Sequence, residues 1–374
     1  MKPPSWLSRV ARHSRLSWRA LGYGSVEPPP FLTVFINSIC NLTCEHCFYW
    51  QHLNKRDDLN LEEFRRLSSE LGPIEILNIS GGEPYLQPDF AEIVELFVKN
   101  NGVRQIYVPT NGYFTKKTEE AMRAIMNSCP ELELFVNEFS LDGTPEFHNT
   151  FRGNAKSFEK AMETYDMLAE LQEEDERFRI HATSTATGDN LAELRALCDL
   201  LYERCPKMDH HGIAIIRGDR KNPSLEGPEL YAFRELYEYT RSVWAVREEG
   251  RFGATVEPML QWAKTRTAEK KRQVVHCTAG KLTGVVHANG DVSVCETHKP
   301  IGNLRQSSFR EIWCGPAATE LRRSIRACEC WCTQEIAMWP SIVFQPFVLG
   351  RALVAVRRWK SPSKNTPATA GPHQ

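Results

Sequence analysis

The sequence predicts an α/β protein built on a parallel sheet, and two observations support this. Between residues 31 and 216, six apolar runs of strand length alternate with longer helical patterns. Such alternation is typical of parallel strands joined by right-handed crossovers. The loop after the first predicted strand is rich in cysteine, and the C-terminal edge of a parallel sheet is where such folds place their chemistry. Six units are too few for a closed eight-stranded barrel.

The element boundaries follow from local signals. Asn60 and Glu63 form the pattern of a capping box at a helix start, and Gly102 predicts a helix end. The predicted strands are 31–36, 74–79, 105–109, 132–141, 178–186 and 209–216. The predicted helices begin near residue 60 and span 88–100, 115–127, 157–171, 190–203, 228–249 and 258–271.

Composition narrows the classes of function. The chain has 374 residues, 41% of them hydrophobic, and a formal net charge of -1, so no overall charge favours nucleic acid. Twelve cysteines are present, and no secretory signal pattern precedes them. We therefore expect a cytoplasmic protein in which clustered thiols bind metal.

The first cysteine group is Cys40, Cys44 and Cys47, followed at once by an aromatic stretch. A structural zinc site takes four protein ligands, whereas a catalytic centre keeps a position open. Three thiols therefore indicate a catalytic metal centre, with a zinc knuckle or three buried thiols as the alternatives.

The spacing Cys-x3-Cys-x2-Cys resembles the signature of the radical S-adenosylmethionine (radical SAM) superfamily. The resemblance implies a partial (β/α)6 TIM-like barrel and a [4Fe–4S] cluster on the three thiols, with SAM at the open iron. It also implies reductive cleavage of SAM to a 5′-deoxyadenosyl radical that abstracts hydrogen from a substrate. By the same resemblance, His46 lies near the adenine, and Phe48 or Tyr49 shares that position.

Loops after the later strands resemble further motifs of that superfamily. Residues 80–84 contain Gly81, Gly82, Glu83 and Pro84, which resemble the GGEP motif that holds the amino group of SAM. Glycines allow close backbone approach, and a glutamate can pair with an ammonium group. Asn111 lies in a turn resembling the TNG motif.

The remaining cofactor assignments concern the ribose, the methionyl part and the carboxylate of SAM. The resemblance places Ser140 near the ribose or methionyl part and gives the carboxylate to Arg152. Thr185 or Asn190 is a candidate ribose contact, and Arg217 a candidate for SAM or substrate. Ordinary strand residues and a helix cap are the alternative for the first two.

A second cysteine group follows the predicted barrel. Asn289-Gly290 predicts a tight hairpin turn, and the flanking strands would bring Cys277 near Cys295. The region resembles the SPASM and twitch modules, but its Cys-x-Cys-x-Cys ending departs from both. We expect one auxiliary [4Fe–4S] cluster, with zinc as the alternative. Its expected ligands are Cys277, Cys295 and one or two of Cys328, Cys330 and Cys332. Cys129, Cys198 and Cys205 are expected to be buried, and Cys314 stays unassigned.

The sequence divides into a basic amphipathic arm (1–30), the radical SAM core (31–250), the auxiliary-cluster module (251–340) and an apolar, basic tail with a disordered end (341–374). The arm and the apolar run 342–356 suit either peripheral membrane contact or packing on the barrel. The run is too short and interrupted for a membrane span.

The resemblance implies a peptide, protein or small-molecule substrate and an electron donor such as flavodoxin or ferredoxin. Two alternatives stay open at this stage. The first is modification of a lipid or lipid-linked glycan at a membrane surface, and the second is a metal-binding scaffold without enzymatic activity.

Overall fold

The computed structural model describes residues 6–357, except for the side chain of Phe252. Its centre is a nine-stranded sheet with the strand order β6-β5-β4-β3-β2-β1-β7-β8-β9. The strands are β1 (Phe31–Phe35), β2 (Ile76–Ser80), β3 (Gln105–Thr110), β4 (Leu134–Ser140), β5 (Phe178–Ala186), β6 (Met208–Ile215), β7 (Thr283–Val286), β8 (Asp291–Ser293) and β9 (Gly302–Asn303).

Thirteen α-helices accompany the strands within the described residues. They are α1 (Trp6–Ala20), α2 (Leu61–Glu70), α3 (Phe90–Asn101), α4 (Thr115–Ser128), α5 (Pro145–Arg152), α6 (Ser157–Glu174), α7 (Leu191–Arg204), α8 (Leu230–Glu248), α9 (Phe252–Lys270), α10 (Phe309–Cys314), α11 (Pro316–Arg326), α12 (Glu335–Val343) and α13 (Pro346–Arg357). Short 3-10 helices lie at Trp50–His52 and Pro84–Leu86.

Strands β1 to β6 pair in parallel in sequence order, which confirms the predicted α/β core. The predicted capping box is present, because Asn60 and Glu63 each accept the other's backbone N–H. Gly102 ends α3 in the left-handed conformation, with φ of 63°. Cys129, Cys198 and Cys205 are buried, as expected. Helix α5 is not among the predicted elements, since eight residues carry too little periodicity to distinguish a helix from a loop.

The predicted hairpin is present as β7 and β8. It does not form a module apart from the barrel, because it continues the barrel sheet. Strand β7 pairs in parallel with β1, with Phe31 opposite Thr283 and Val34 opposite Val286. The sheet therefore runs without a break from the barrel into the cysteine-rich region. The domain boundary at residue 250 falls between α8 and α9 and stays a prediction.

The terminal segments pack at the N-terminal end of the strands. Leu16 and Ala20 of α1 are buried in the same apolar cluster as Phe31, Phe344 and Val348. The arm is thus self-packed over its last turns, and part of the apolar run 342–356 packs in the same cluster. The basic residues 358–360 and the expected disordered end lie outside the described residues.

Within the described residues, no single helix has both the length and the apolar composition to cross a membrane. The adjacent helices α12 and α13 reach those values only when taken together, and they are bent by 102° at their junction.

We predict that Gly284→Ala destabilises the junction between barrel and hairpin. A Cβ at this position would lie 2.7 Å from Cγ of Pro29 and 2.9 Å from Cη2 of the buried Trp313. Overpacking of this kind costs about 1–3 kcal/mol in the free energy of unfolding. The measurement is the midpoint of urea unfolding, followed by circular dichroism.

Gly72→Ala is the matched control, because nothing lies within 4 Å of a Cβ at that position. Its midpoint should stay close to that of the unmodified chain. Equal midpoints for both variants would contradict the predicted close packing of β7 on Trp313.

Candidate active site

A cavity of about 1600 Å³ runs through the inside of the curved sheet. At the C-terminal edge of the strands it is lined by the cysteine loop, with Cys40, Cys44 and Cys47. At the opposite edge it is lined by residues of α1, α9, α12 and α13. The predicted metal ligands and the predicted cofactor-binding loops therefore share one space.

The cysteine loop has little regular structure, and helix α5 helps to hold it. The backbone N–H of Thr43 donates to the carbonyl of Arg152 at 3.2 Å, and that of Glu45 donates to the carbonyl of Phe151 at 3.1 Å. These acceptors are orphan carbonyls at the C-terminal end of α5. Gly153 follows with φ of 71°, against the side chain of Thr43.

The Gly81-Gly82 step contacts the chain segment before Cys40. The N–H of Gly82 donates to the carbonyl of Asn37 at 3.1 Å, and the N–H of Glu83 to the carbonyl of Ile39 at 2.7 Å. A Cβ on Gly81 would lie 2.7 Å from Oδ1 of Asn37. The two glycines are therefore required for backbone contact with the cysteine segment, in addition to any approach to a ligand.

Glu83 presents its carboxylate where β2 and β3 end. Oε1 accepts from Oγ1 of Thr110 at 2.8 Å and from the N–H of Tyr85 at 3.3 Å, and Oε2 accepts from the N–H of Asn111 at 2.8 Å. The side chain is only 1% exposed. Burial raises the pKa of Glu83 to about 7, although these three donors act in the opposite direction.

Asp142 is a site residue that the sequence analysis did not identify. Its Oδ2 accepts from Nε and Nη2 of Arg152 at 2.9 and 2.6 Å, and its Oδ1 accepts from the N–H of Thr185 at 2.9 Å. Burial alone would raise the pKa of Asp142, but Arg152, His46 and the Thr185 N–H lower it to about 2. Only its position directly after β4 could have indicated a role.

This ion pair changes the expectation for Arg152. Its guanidinium donates through Nη2 to the carboxylate of Asp142, and its Nη1 lies 4.0 Å from Sγ of Cys44. His46 stacks on the ring of Phe151, with centroids 4.9 Å apart, and its Nε2 lies 3.6 Å from Oδ2 of Asp142. Arg152 therefore supports the cysteine loop electrostatically, and a contact with the SAM carboxylate stays a prediction.

The other predicted cofactor residues divide into two groups. Phe48, Ser140, Thr185 and Arg217 line the cavity with Gly81, Gly82, Glu83 and Asn111. Pro84 and Asn190 are buried and are not among the lining residues. The amide of Asn190 accepts from the Thr187 N–H and donates to the Thr185 carbonyl, so it shapes the loop after β5.

The cysteine loop fits a metal-bound polar cofactor by the chemistry of its donors. Burial raises the pKa of Cys40 to about 12 and that of Cys47 to about 11, and a bound cationic centre stabilises such thiolates. Nδ2 of Asn41 and Nδ1 of His46 are buried without a hydrogen-bond partner in the described structure. The three thiols and His46 line one cavity, so this donor set fits a metal-bound polar group there.

The second group brings four thiols together beyond the barrel. Burial, followed by the neighbouring thiols Cys332, Cys295 and Cys330, raises the pKa of Cys277. Cys295 responds to burial and to Cys332 and Cys330 in the same way, with its pKa raised to about 12. Cys328 differs: it is exposed, has φ of 61°, and its Sγ lies 3.7 Å from Nδ1 of His276.

Across residues 6–357, no three or more His, Cys, Asp or Glu side chains converge closely enough to hold a single metal ion.

An ion pair lies between the two cysteine groups. Nη2 of Arg217, which follows β6, lies 3.3 Å from Oε2 of Glu296, the neighbour of Cys295. The same guanidinium lies 5.7 Å from the ring centroid of Phe48, the neighbour of Cys47. Both Arg217 and Glu296 line the cavity.

Two family profiles match the chain. Residues 34–201 match the radical SAM superfamily, and residues 277–334 match the iron–sulfur cluster-binding SPASM domain. The two matches contain both cysteine groups.

Curated relatives share parts of this layout. The GTP 3′,8-cyclase of Mannheimia succiniciproducens is 28% identical over 138 residues, which cover 34% of this chain and 41% of the cyclase. The chain thus spans less than half of that enzyme. The mycofactocin maturase MftC of Mycobacterium ulcerans is 27% identical over 303 residues, covering 77% of this chain and 75% of the maturase.

Solved structures share the fold. Streptococcus suis SuiB bound to its precursor peptide SuiA superposes with a TM-score of 0.57 at 17% identity, covering 84% of this chain and 71% of SuiB. Taken with the two profile matches, this likeness settles the fold. The chain belongs to the radical SAM superfamily and carries a C-terminal SPASM domain, which together imply a SAM-binding [4Fe–4S] cluster and auxiliary iron–sulfur binding.

Proposed function

We propose that the chain is an enzyme that modifies a peptide or protein substrate by radical chemistry. When bound, a reduced [4Fe–4S] cluster supplies the electron that cleaves SAM to the 5′-deoxyadenosyl radical, which abstracts hydrogen from the substrate. The observation that carries this proposal is that three thiols and the Glu83 carboxylate line one cavity. Cys40, Cys44 and Cys47 are the proposed cluster ligands.

Glu83 is the proposed partner of the SAM ammonium group. Thr110 and Asn111 hold its carboxylate by hydrogen bonds at 2.8 Å. A buried carboxylate fixed by donors presents a preorganised negative charge to an incoming cation. Ser140, Thr185 and Phe48 line the same cavity and are the proposed contacts of the remaining parts of SAM.

Arg152 and Asp142 are proposed to position the cluster loop. Their ion pair is nearly inaccessible to solvent, and Nη1 of Arg152 faces Cys44 at 4.0 Å. A fixed positive charge at this distance stabilises thiolate character on Cys44.

Cys277, Cys295, Cys330 and Cys332 are the proposed ligands of the auxiliary cluster. The thiols of Cys332 and Cys330 raise the pKa of both Cys277 and Cys295, which supports this set. Cys328 is exposed and its Sγ lies 3.7 Å from Nδ1 of His276. Arg217 and Glu296 lie between the two groups and are proposed to contact the substrate there.

The relatives support a peptide substrate. MftC matures mycofactocin according to its name, and SuiB has been solved with a precursor peptide. A cavity of about 1600 Å³ leaves room for a substrate segment beside SAM. We further propose a cytoplasmic location and an electron donor such as flavodoxin or ferredoxin.

Reconstituted protein should release 5′-deoxyadenosine from SAM after reduction with dithionite under anaerobic conditions. Cys44→Ala should abolish the product, because a cluster with two protein ligands in this loop is not retained. The measurement is chromatography of the product together with iron content and EPR. Cys314→Ala, which changes an exposed thiol outside both groups, is the control and should keep full product formation. An inactive unmodified chain with full iron content would contradict the proposal.

The ligand set of the auxiliary cluster predicts different outcomes for two neighbouring thiols. Cys330→Ala should lose about four iron atoms per chain, because Cys330 belongs to the group of four thiols. Cys328→Ala should keep the iron content of the unmodified chain. The reverse pattern, measured by iron analysis after reconstitution, would assign the cluster to Cys328 instead.

The affinity for SAM should rise with pH. With the pKa of Glu83 raised to about 7, the ionised form that attracts an ammonium group grows about fifteenfold between pH 5.5 and 7. We expect a similar fall in the dissociation constant, measured anaerobically by equilibrium dialysis, and a flat, weaker profile for Glu83→Gln.

Glu138→Gln is the matched control for this experiment. Burial also raises the pKa of Glu138 to about 7, and this carboxylate lines the cavity on β4, away from the loop of Glu83. The control should keep the pH dependence of SAM affinity. A flat profile in this variant together with a steep one in Glu83→Gln would transfer the role to Glu138.

A further inference from the structure

The first and last described helices leave large apolar side chains in solvent. Trp6 and Leu7 of α1 are 73% and 70% exposed, and Phe347 of α13 is 90% exposed. Val10 of α1 and Val354 of α13 are about half exposed. Scattered apolar residues are ordinary on a protein surface, but a group of them that includes a tryptophan and a phenylalanine marks an interaction site.

The two helices flank the same end of the cavity. Trp6, Val10 and His13 of α1 line it together with Leu349 and Leu353 of α13. The ring of His13 also packs on Phe344, directly before α13, with centroids 5.1 Å apart. Trp6, Val10 and Leu353 therefore line one end of the cavity, and the exposed Leu7, Phe347 and Val354 lie on the same two helices.

Both helices carry arginines close to their exposed apolar residues. In α1, Trp6 and Val10 lie about one turn apart and line the cavity together with Arg9 and Arg12. In α13, Phe347 and Val354 are seven residues apart on the exposed side, with Arg351 and Arg357 beside them. Neither helix contains an aspartate or glutamate.

Helices α1 and α13 keep a positive charge after the acidic residues that pair with them are counted. Glu75 pairs with Arg12 and Arg15 at 3.3 and 3.1 Å, and Glu27 pairs with Arg19. Arg9 forms no ion pair within the described residues, and the same holds for Arg351 and Arg357. Positive charge thus lies beside the apolar side chains.

We propose that the terminal-helix surface, formed by Trp6, Leu7 and Val10 of α1 with Phe347, Leu353 and Val354 of α13, docks on an anionic lipid bilayer. Amphipathic helices with arginines and aromatic residues insert their apolar side into the headgroup region, and anionic lipids attract the arginines. This proposal does not depend on the radical chemistry.

The test is sedimentation of the full chain with lipid vesicles. Vesicles of phosphatidylcholine with phosphatidylglycerol should bind the protein, and binding should fall as salt is added, because exposed charges are screened. Phosphatidylcholine vesicles alone should bind it weakly. Trp6→Ser with Phe347→Ser should lower the partition coefficient at least about tenfold, since each side chain loses its burial in lipid.

Two matched controls use exposed residues elsewhere on the chain. Val246→Ser removes an apolar side chain of α8 that is 77% exposed and should leave vesicle binding unchanged. Arg9→Gln should weaken binding about fivefold at low salt, whereas Arg323→Gln, on α11, should not. Circular dichroism checks that each variant keeps its fold.

Three outcomes would overturn the proposal. The first is no sedimentation with anionic vesicles, and the second is an equal loss of binding in Val246→Ser. The third is a chain that does not bind vesicles but self-associates, and that no longer self-associates in the Trp6 and Phe347 variant. This result would assign the surface to a contact between copies of the chain. None of these outcomes bears on SAM cleavage, so the two proposals fail independently.

Discussion

The shape of the cysteine loop depends on backbone hydrogen bonds that neighbouring segments provide. A loop of residues 40–47 with little regular structure would otherwise leave its N–H groups without fixed partners. Two N–H groups of the loop donate to the C-terminal carbonyls of α5, and the N–H groups of Gly82 and Glu83 donate to the segment before Cys40. Two segments distant in sequence, the C-terminal end of α5 and the loop after β2, therefore fix the backbone around the three thiols.

The same segments carry the charges of the site. Asp142 and Arg152 lie at the two ends of the α5 segment, and their ion pair is almost fully removed from water. A buried pair of this kind gains little net free energy, but loss of one partner leaves an uncompensated charge and is strongly destabilising. The pair therefore specifies one arrangement of α5 against the cysteine loop.

The sequence predicted those parts of the fold whose signals are local. The alternation of strands and helices, the capping box at Asn60 and the hairpin at Asn289-Gly290 are each encoded within a few residues. The pairing of β7 with β1 could not be predicted, because it joins segments about 250 residues apart and either strand could have lain at a sheet edge. Helix α5 was missed because it is short.

The same distinction between local and long-range signals applies to the residues of the site. Cys40, Cys44, Cys47 and Glu83 were predicted because their spacing or motif is local, and the cavity brings them together. Asp142 was missed because an aspartate after a strand is common, and only burial beside Arg152 distinguishes it. Arg152 illustrates the limit of resemblance, since a motif indicates that a cation is present but not which anion it pairs with.

The pairing of β1 with β7 also determines how the two cysteine groups relate to each other. The first group follows β1, while Cys277 precedes β7 and Cys295 follows β8, so one hydrogen-bonded sheet supports both. A hydrogen-bonded sheet deforms less readily than a flexible linker. The fold therefore sets the distance between the two cysteine groups. Contacts continue across the gap, because Arg217 packs on Phe48 and pairs with Glu296. Both residues of this ion pair line the cavity, so the substrate contact proposed for them lies between the two cysteine groups.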